Sequence, residues 1–257
     1  MINIKYNQIL PALTLALGLS LAWPGYADYG TIKLSSDPWK PWVMGEEGKQ
    51  AEGGWAVEIA EELFNRINHP NIETVIYPYE RCLTQMKTGE RDVLLMAKKT
   101  PEREQYMAYS DVAATDPQLL YYNPEKMKNF SWNKVADLKP YRIGTVQGFN
   151  YGELSVLAKK ESINIESVAT DEQNILKLFS GRIDLVAMNV STANYYLQQN
   201  PKMVGKLQAA EKPLSDAEFH FAFSKNGKAV KHLSQINAAL ADMKADGTMA
   251  RILGPGK

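Results

Sequence analysis

Two octets of the chain are near copies of one another. Gly89-Glu90-Arg91-Asp92-Val93-Leu94-Leu95-Met96 returns as Gly181-Arg182-Ile183-Asp184-Leu185-Val186-Ala187-Met188, with the aspartates 92 residues apart. Each octet follows a helical stretch, opens on a glycine placed where a helix C-terminal glycine belongs, and closes on an apolar run. Short apolar runs of this kind form parallel strands buried on both faces. Alone the echo is weak, because α/β chains produce such likenesses by chance. A break at Asp116-Pro117 falls between the copies, and together these features support two lobes of similar build.

The passage around the first octet, 77–111, reads as helix, strand, helix. Leu83 and Met86 supply an apolar stripe, Val93–Ala97 the strand, and Thr100 the N-cap of a second helix with Pro101 at its first position. Lys98, Lys99 and Arg103 gather at the amino end of that helix, where the dipole disfavours cations; Glu102 and Glu104 obey the rule that the three cations break. Free N–H groups beside a guanidinium make a receptor for a carboxylate or phosphate. The alternative is that the lysines are solvated and Arg103 pairs with Glu104 or Asp92.

The totals restrict the partners. Lys+Arg and Asp+Glu both number 29 in 257 residues, which argues against nucleic acid and against an acidic tail. The length allows one large domain or two modest lobes. The single cysteine, Cys82, excludes an internal disulfide and leaves the compartment undecided. Residues 1–27 carry Lys5 near the start, an apolar body from Ile9 to Trp23 and the small residues Gly25 and Ala27, which reads as a secretory signal. The apolar body is shorter than the roughly 20 residues a bilayer span requires. An exported chain starting near Asp28 is expected, without that leader's single cation and therefore with a charge of −1.

Along the mature chain, Thr31–Ser35 alternates as a strand and runs into Asp37-Pro38-Trp39-Lys40-Pro41-Trp42. The two prolines hold this loop extended and set two tryptophans at the strand's carboxyl end, where ligands sit in open α/β sheets. Trp39 is expected to face the ligand and Trp42 to cover the core. Glu46–Gly54 is a loop, Trp55–Ile67 an amphipathic helix, and Ile72–Tyr77 a strand ending at Tyr79, whose ring faces the same cleft or packs in the core. A crossing between lobes falls at 116. Asn123–Leu138 is a polar excursion without a core pattern. Arg142–Val146 is a strand ending at Gln147-Gly148-Phe149-Asn150, where Gly148 permits close backbone approach and Asn150 can cap the next helix. Ile163–Val168, Val204–Gln208 and Phe219–Phe223 read as strands; Asp171–Phe179, Val190–Gln199 and Val230–Met243 read as helices. Glu211–Glu218 is a second crossing. The lobes then comprise 28–115 with 216–257 returning, and 116–215. His69, His220 and His232 are scattered without metal-ligand spacing, and no P-loop, GxGxxG or GxSxG occurs, so no cofactor is implied.

These marks in this order resemble the bacterial periplasmic solute-binding proteins of family 3. They are Trp39-Lys40-Pro41-Trp42, Gly54-Trp55-Ala56-Val57-Glu58-Ile59-Ala60, the two octets, Thr100-Pro101-Glu102-Arg103, Tyr109-Ser110-Asp111, Gln147-Gly148 and Met243-Lys244-Ala245-Asp246-Gly247-Thr248. The resemblance implies a two-lobed type II periplasmic binding protein fold, α/β, with a mostly parallel sheet in each lobe and a ligand cleft between. It implies that Arg103 holds a ligand α-carboxylate, that Trp39 and Tyr79 flank its side chain, and that Phe149 and Asn150 meet it from the other lobe. Two positions depart from the family pattern: the ammonium-binding acid falls on Asn189, and a small hydroxyl falls on Lys98. Exchanging a buried carboxylate for an amide removes a charge-assisted bond of roughly 1.5–3 kcal/mol. An anionic or polar ligand is therefore expected, a carboxylate or acidic amino-acid derivative, with Arg81 as a further anion contact. Two alternatives stay open: Lys98 turns outward, or Glu80 or Asp37 replaces the missing acid. The implied partner is a membrane permease of an importer; a receptor is the alternative, and a monomer is expected. A third possibility is an enzyme similar to the periplasmic cyclohexadienyl dehydratases.

Overall fold

The computed structural model describes residues 30–254, so the expected leader, 1–27, lies outside the described residues. Along the first half come β1 (Ile32–Ser36), α1 (Trp55–Arg66), β2 (Ile72–Ile76), α2 (Tyr79–Thr88), β3 (Val93–Ala97), α3 (Pro101–Glu104), β4 (Met107–Tyr109), β5 (Ala114–Thr115) and β6 (Gln118–Tyr122). The second half contains β7 (Arg142–Val146), α4 (Glu153–Leu157), β8 (Asn164–Val168), α5 (Asp171–Ser180), β9 (Leu185–Asn189), α6 (Val190–Gln199), β10 (Gln208–Ala209), β11 (Glu218–Ser224), α7 (Leu233–Ala245) and α8 (Thr248–Leu253).

The strands form two sheets, ordered β2-β1-β3-β11-β4 with β5 on β11, and β10-β6-β9-β7-β8. In each, three strands run parallel (β2-β1-β3 and β8-β7-β9) and strands arriving from the crossings pair antiparallel beside them. β11 returns to the first sheet after the chain has built the second.

The echoed octets do the same work in both sheets. Gly89 and Gly181 take left-handed backbone at φ 77° and 76° and end α2 and α5. The carboxylates of Asp92 and Asp184 then accept from the backbone N–H of Lys33 (2.9 Å) and Arg142 (2.8 Å), while their own N–H groups donate to the carbonyls of those same residues. Each aspartate thereby locks the start of β3 or β9 beside β1 or β7.

Four expectations change. The tryptophan loop is a tight turn, not an extended segment: Trp39 and Val43 exchange backbone hydrogen bonds of 3.2 and 2.7 Å around a cis Lys40–Pro41 peptide. The turn's carbonyls also serve α1: the otherwise orphaned N–H groups of Trp55 and Ala56 donate to Pro41 O (3.2 Å) and Trp42 O (2.9 Å). Gly54 is required there, because at φ 109° a Cβ would lie 2.5 Å from the Trp42 carbonyl oxygen. The excursion 123–138 does hold core residues: Phe130, Trp132, Val135 and Leu138 are buried with Leu120 and Ile143, although they follow no regular period. The expected strand 204–208 is reduced to β10, because 201–203 form a helical turn and Gly205 turns the chain at φ 79°. The helix expected from Val230 starts at Leu233, after a turn of tighter helix.

Candidate functional site

The carboxyl ends of β1 and β3 meet the second lobe across a small cavity. The first lobe contributes Asp37, Trp39, Tyr79, Met96, Lys98, Arg103 and Phe219; the crossing and second lobe contribute Gln118, Phe149 and Asn150. Four of these ten residues are aromatic. Trp39 packs on Phe219 with ring centroids 4.9 Å apart and meets Phe149 edge-on at 6.1 Å; Tyr79 meets Phe149 at 5.0 Å.

Two cations enter this wall. Lys98 follows a bulge: between the pairs Leu94–Ala222 and Ala97–His220, β3 has one residue more than β11, and Met96 sits in left-handed backbone at φ 48°. Bulges re-aim the side chains beside them. The Lys98 ammonium donates to Gln118 Oε1 (3.0 Å) and Ser215 Oγ (2.9 Å). Burial, followed by the nearby Arg103 charge, lowers its pKa to about 8. Arg103 is buried on α3. Its guanidinium lies 5.2 Å from the centre of the Tyr79 ring and donates to the Lys98 carbonyl (3.1 Å) and, across the cleft, to the Gly148 carbonyl (2.8 Å). It pairs with neither Glu104 nor Asp92. One acid shares the cavity: burial pushes the Asp37 carboxyl up to about 7.

The lobes touch at the rim and behind the cavity. Gln147 Nε2 donates to Glu80 Oε2 at 3.1 Å, and Trp39 Nε1 to Thr192 Oγ1 at 2.9 Å. Gly148 brings the two lobes close to each other: at φ 78° its Cβ would stand 3.0 Å from Glu80 Cγ and 3.1 Å from Tyr79 Cδ1.

Six of the eight residues singled out in the sequence therefore line one cavity: Trp39, Tyr79, Lys98, Arg103, Phe149 and Asn150. Two stand elsewhere. Arg81 is exposed, its guanidinium 4.4 Å above the Tyr77 ring on the outer side of α2. Asn189 is buried beneath the crossing, its amide donating to the Asp116 carbonyl at 2.7 Å. Asn150 does not cap α4; its Oδ1 accepts from Gly152 N (3.0 Å) in a local turn, and Gly152 precedes the helix. Nor does α3 offer the anion a helix end, since it has four residues and the Thr100 hydroxyl already accepts from Arg103 N. The positive corner consists of side chains, not of a helix dipole. Lys99 points away to Glu104 (3.1 Å), and His220 is packed with Nδ1 2.8 Å from the Ser110 carbonyl. Met96, Gln118 and Phe219 were not anticipated. No local pattern marks them, because they meet the cavity only through the bulge, the crossing and the returning strand.

Among the described residues, no group of three or more His, Cys, Asp or Glu side chains could hold a metal ion, and no helix is long and apolar enough to cross a membrane.

Two α/β lobes meeting over a small cavity with two cations, an acid and four aromatic rings in its wall have the form of a two-lobed solute-binding protein. The chain belongs to the bacterial extracellular solute-binding proteins, family 3, whose model matches residues 32–254. A putative amino-acid ABC transporter-binding protein, PatH of Vibrio harveyi, is 27% identical over 201 residues, 77% of each chain. An ancestral arginine-binding protein bound to arginine superposes with a TM-score of 0.73 at 22% identity, covering 87% of this chain and 96% of that one. The ancestral amino acid-binding protein AncCDT-1, a precursor of cyclohexadienyl dehydratase, gives 0.70 at 20% identity over 87% and 93%. The protein is a solute-binding protein of the two-lobed α/β fold.

Proposed function

We propose that the protein captures a small anionic or polar metabolite, a carboxylate or acidic amino-acid derivative, in this cleft. It acts in the periplasm after removal of a leader in 1–27 and passes the solute to the permease of an ABC-type importer without altering it. Residues 28–115 and 216–257 form the first lobe and 116–215 the second. The observation that carries the ligand class is the presence of Lys98 and Arg103 in the wall of one cavity. A buried cation is costly unless paired and hydrogen-bonded. Here the guanidinium finds two carbonyls and the ammonium two neutral oxygens, arrangements that a carboxylate completes.

Asp37 takes the part of the acid missing at 189. With a pKa of about 7 it accepts from a ligand ammonium when ionised and donates to a second carboxylate when protonated. Trp39, Tyr79 and Phe149 enclose the ligand's body, and Asn150 faces it from the second lobe.

The test is a thermal-shift and calorimetric panel of neutral amino acids, acidic amino acids, dicarboxylates and small phosphates, since a ligand of the folded state raises stability by mass action. Dicarboxylates or acidic amino acids are expected to give the largest shifts, and Arg103→Met to abolish them with the circular-dichroism spectrum unchanged. Larger shifts from neutral amino acids, or unchanged affinity in the variant, sink the assignment.

A second reading has one observation in its favour. An acid titrating near 7 beside two cations is the equipment an elimination of carboxylate and hydroxyl needs, and AncCDT-1 shares the fold. Incubation with prephenate or arogenate at high protein concentration is expected to yield no aromatic product; product would restore the enzyme.

A further inference from the structure

Asn189 occupies the position from which the family's acid is expected to meet a ligand, yet it is buried under the first crossing, with only 3% of its surface exposed. We propose that Asn189 is a positioning residue, the central member of a polar relay through the hinge that holds the two lobes closed. This deepens the reading of the cleft as a closing one, because it concerns what sets the closure.

The relay starts in the cavity. The Lys98 ammonium donates to Gln118 Oε1, and the Ser215 hydroxyl donates to the same oxygen at 3.0 Å. Gln118 N also donates to the Ser215 carbonyl, so one lysine binds both chain crossings where they lie side by side. Gln118 Nε2 then faces Asn189 Oδ1 at 3.5 Å, and Asn189 Nδ2 donates to the Asp116 carbonyl at 2.7 Å. The Asp116 carboxylate ends the series. It accepts from the backbone N–H and hydroxyl of Ser191 at the start of α6, and from Trp42 Nε1 (3.1 Å) in the first lobe. Trp42 Nε1 reaches Ser191 Oγ as well, at 2.8 Å.

The placement of these groups gives the relay its effect. Trp42 and Lys98 move with the first lobe, and Gln118, Asn189, Asp116 and Ser191 with the second, so the bonds that cross are those of Trp42 to Asp116 and Ser191 and of Lys98 to Gln118 and Ser215. Asn189, paired with Gln118 across β6 and β9, holds the acceptors of both sets in place. Gln118, Asn189, Asp116 and Trp42 are all buried, so each bond lost on opening must be replaced by water entering the hinge. Position 189 has to donate to one oxygen and accept from one amide nitrogen. An amide does both; an ionised carboxylate would face the Asp116 carbonyl without a proton. An asparagine at 189 thus meets a demand of the hinge, independently of the ligand.

The experiment reads lobe separation without ligand. Dyes are attached through Glu47→Cys and Lys160→Cys, exposed positions on opposite lobes, while the native Cys82 is buried and does not compete. Single-molecule energy transfer then measures the open-to-closed ratio. Asn189→Leu is expected to raise the open fraction about fivefold or more, and Ser191→Ala to raise it less. Asn189→Leu with Trp42→Phe should shift the ratio by less than the product of the single effects, because both break one series of bonds. If Asn189→Leu lowers the melting temperature but leaves the ratio unchanged, the residue only supports the fold and the proposal falls. If that variant does not fold, Ser191→Ala decides alone: an unchanged ratio overturns the relay. None of these readings uses a ligand, so they stand even if the anion panel fails.

Discussion

Replacing Asp37 by asparagine removes the one acid of the cavity while keeping its size, and the effect on ligand-free stability follows from its titration. Burial raises the carboxyl from 3.8 in the unfolded chain to about 7 in the folded one. Below about pH 3.8 both states hold the proton, and the acid and the amide are nearly equivalent. Between 3.8 and 7 the unfolded chain loses its proton while the folded one keeps it, so the group's contribution to stability falls as pH rises. Above 7 the loss is complete, and three pH units at about 1.4 kcal/mol each make it on the order of 4 kcal/mol. Urea titrations of both proteins at intervals from pH 4 to pH 8.5 should therefore show Asp37→Asn gaining on the wild type by several kcal/mol as pH rises, with most of the gain reached by pH 7. The difference is the quantity to follow, because Asp171 is also raised to about 7: the slope due to its burial is common to both curves, and the part due to Asp37 disappears with the substitution and adds to the gain. A difference that stays flat across this range would refute the reasoning: Asp37 would then be solvated or paired, and not a suitable substitute for the acid absent at 189.

Two further outcomes are expected. Affinity for the best carboxylate of the panel should weaken as pH rises through about 8, where Lys98 loses its proton; Lys98→Met should bind weakly with no slope there, and calorimetry showing the wild-type slope retained would remove Lys98 from the site. In the echoed octets, Asp92→Ala should cost about 2–4 kcal/mol in denaturant unfolding, since the buried carboxylate serves the N–H groups of both Lys33 and Lys228. Asp184→Ala should cost less, because its side chain is 29% exposed and water can take its place; equal losses would contradict the burial argument.

What the sequence determined by itself is what nearest neighbours decide. Gly89 and Gly181 end helices because only a residue without Cβ takes left-handed backbone at no steric cost, and an apolar run following such a glycine forms a buried strand in both halves. Trp39 and Trp42 stand at the end of β1 because they follow it by three and six residues, and Arg103 stands beside the cleft because its short helix follows β3. Tertiary structure decided the directions. Lys98 turns into the cavity, while Lys99 reaches outward to Glu104. Arg81 lies one helical residue from Glu80 and two from Tyr79, and its rotation about α2 carries it to Tyr77. Phe219 and Gln118 join the wall through pairings with distant stretches, Phe219 with Ala114 and Gln118 with Ser215, and Phe130 and Trp132 are buried without any periodic signal. Asn189 shows the difference most plainly. Its place at the end of β9 was legible, but whether its amide met a ligand or the hinge depended on the packing of the Asp116 carbonyl against it, and no stretch of adjacent residues encodes a contact across 73 positions.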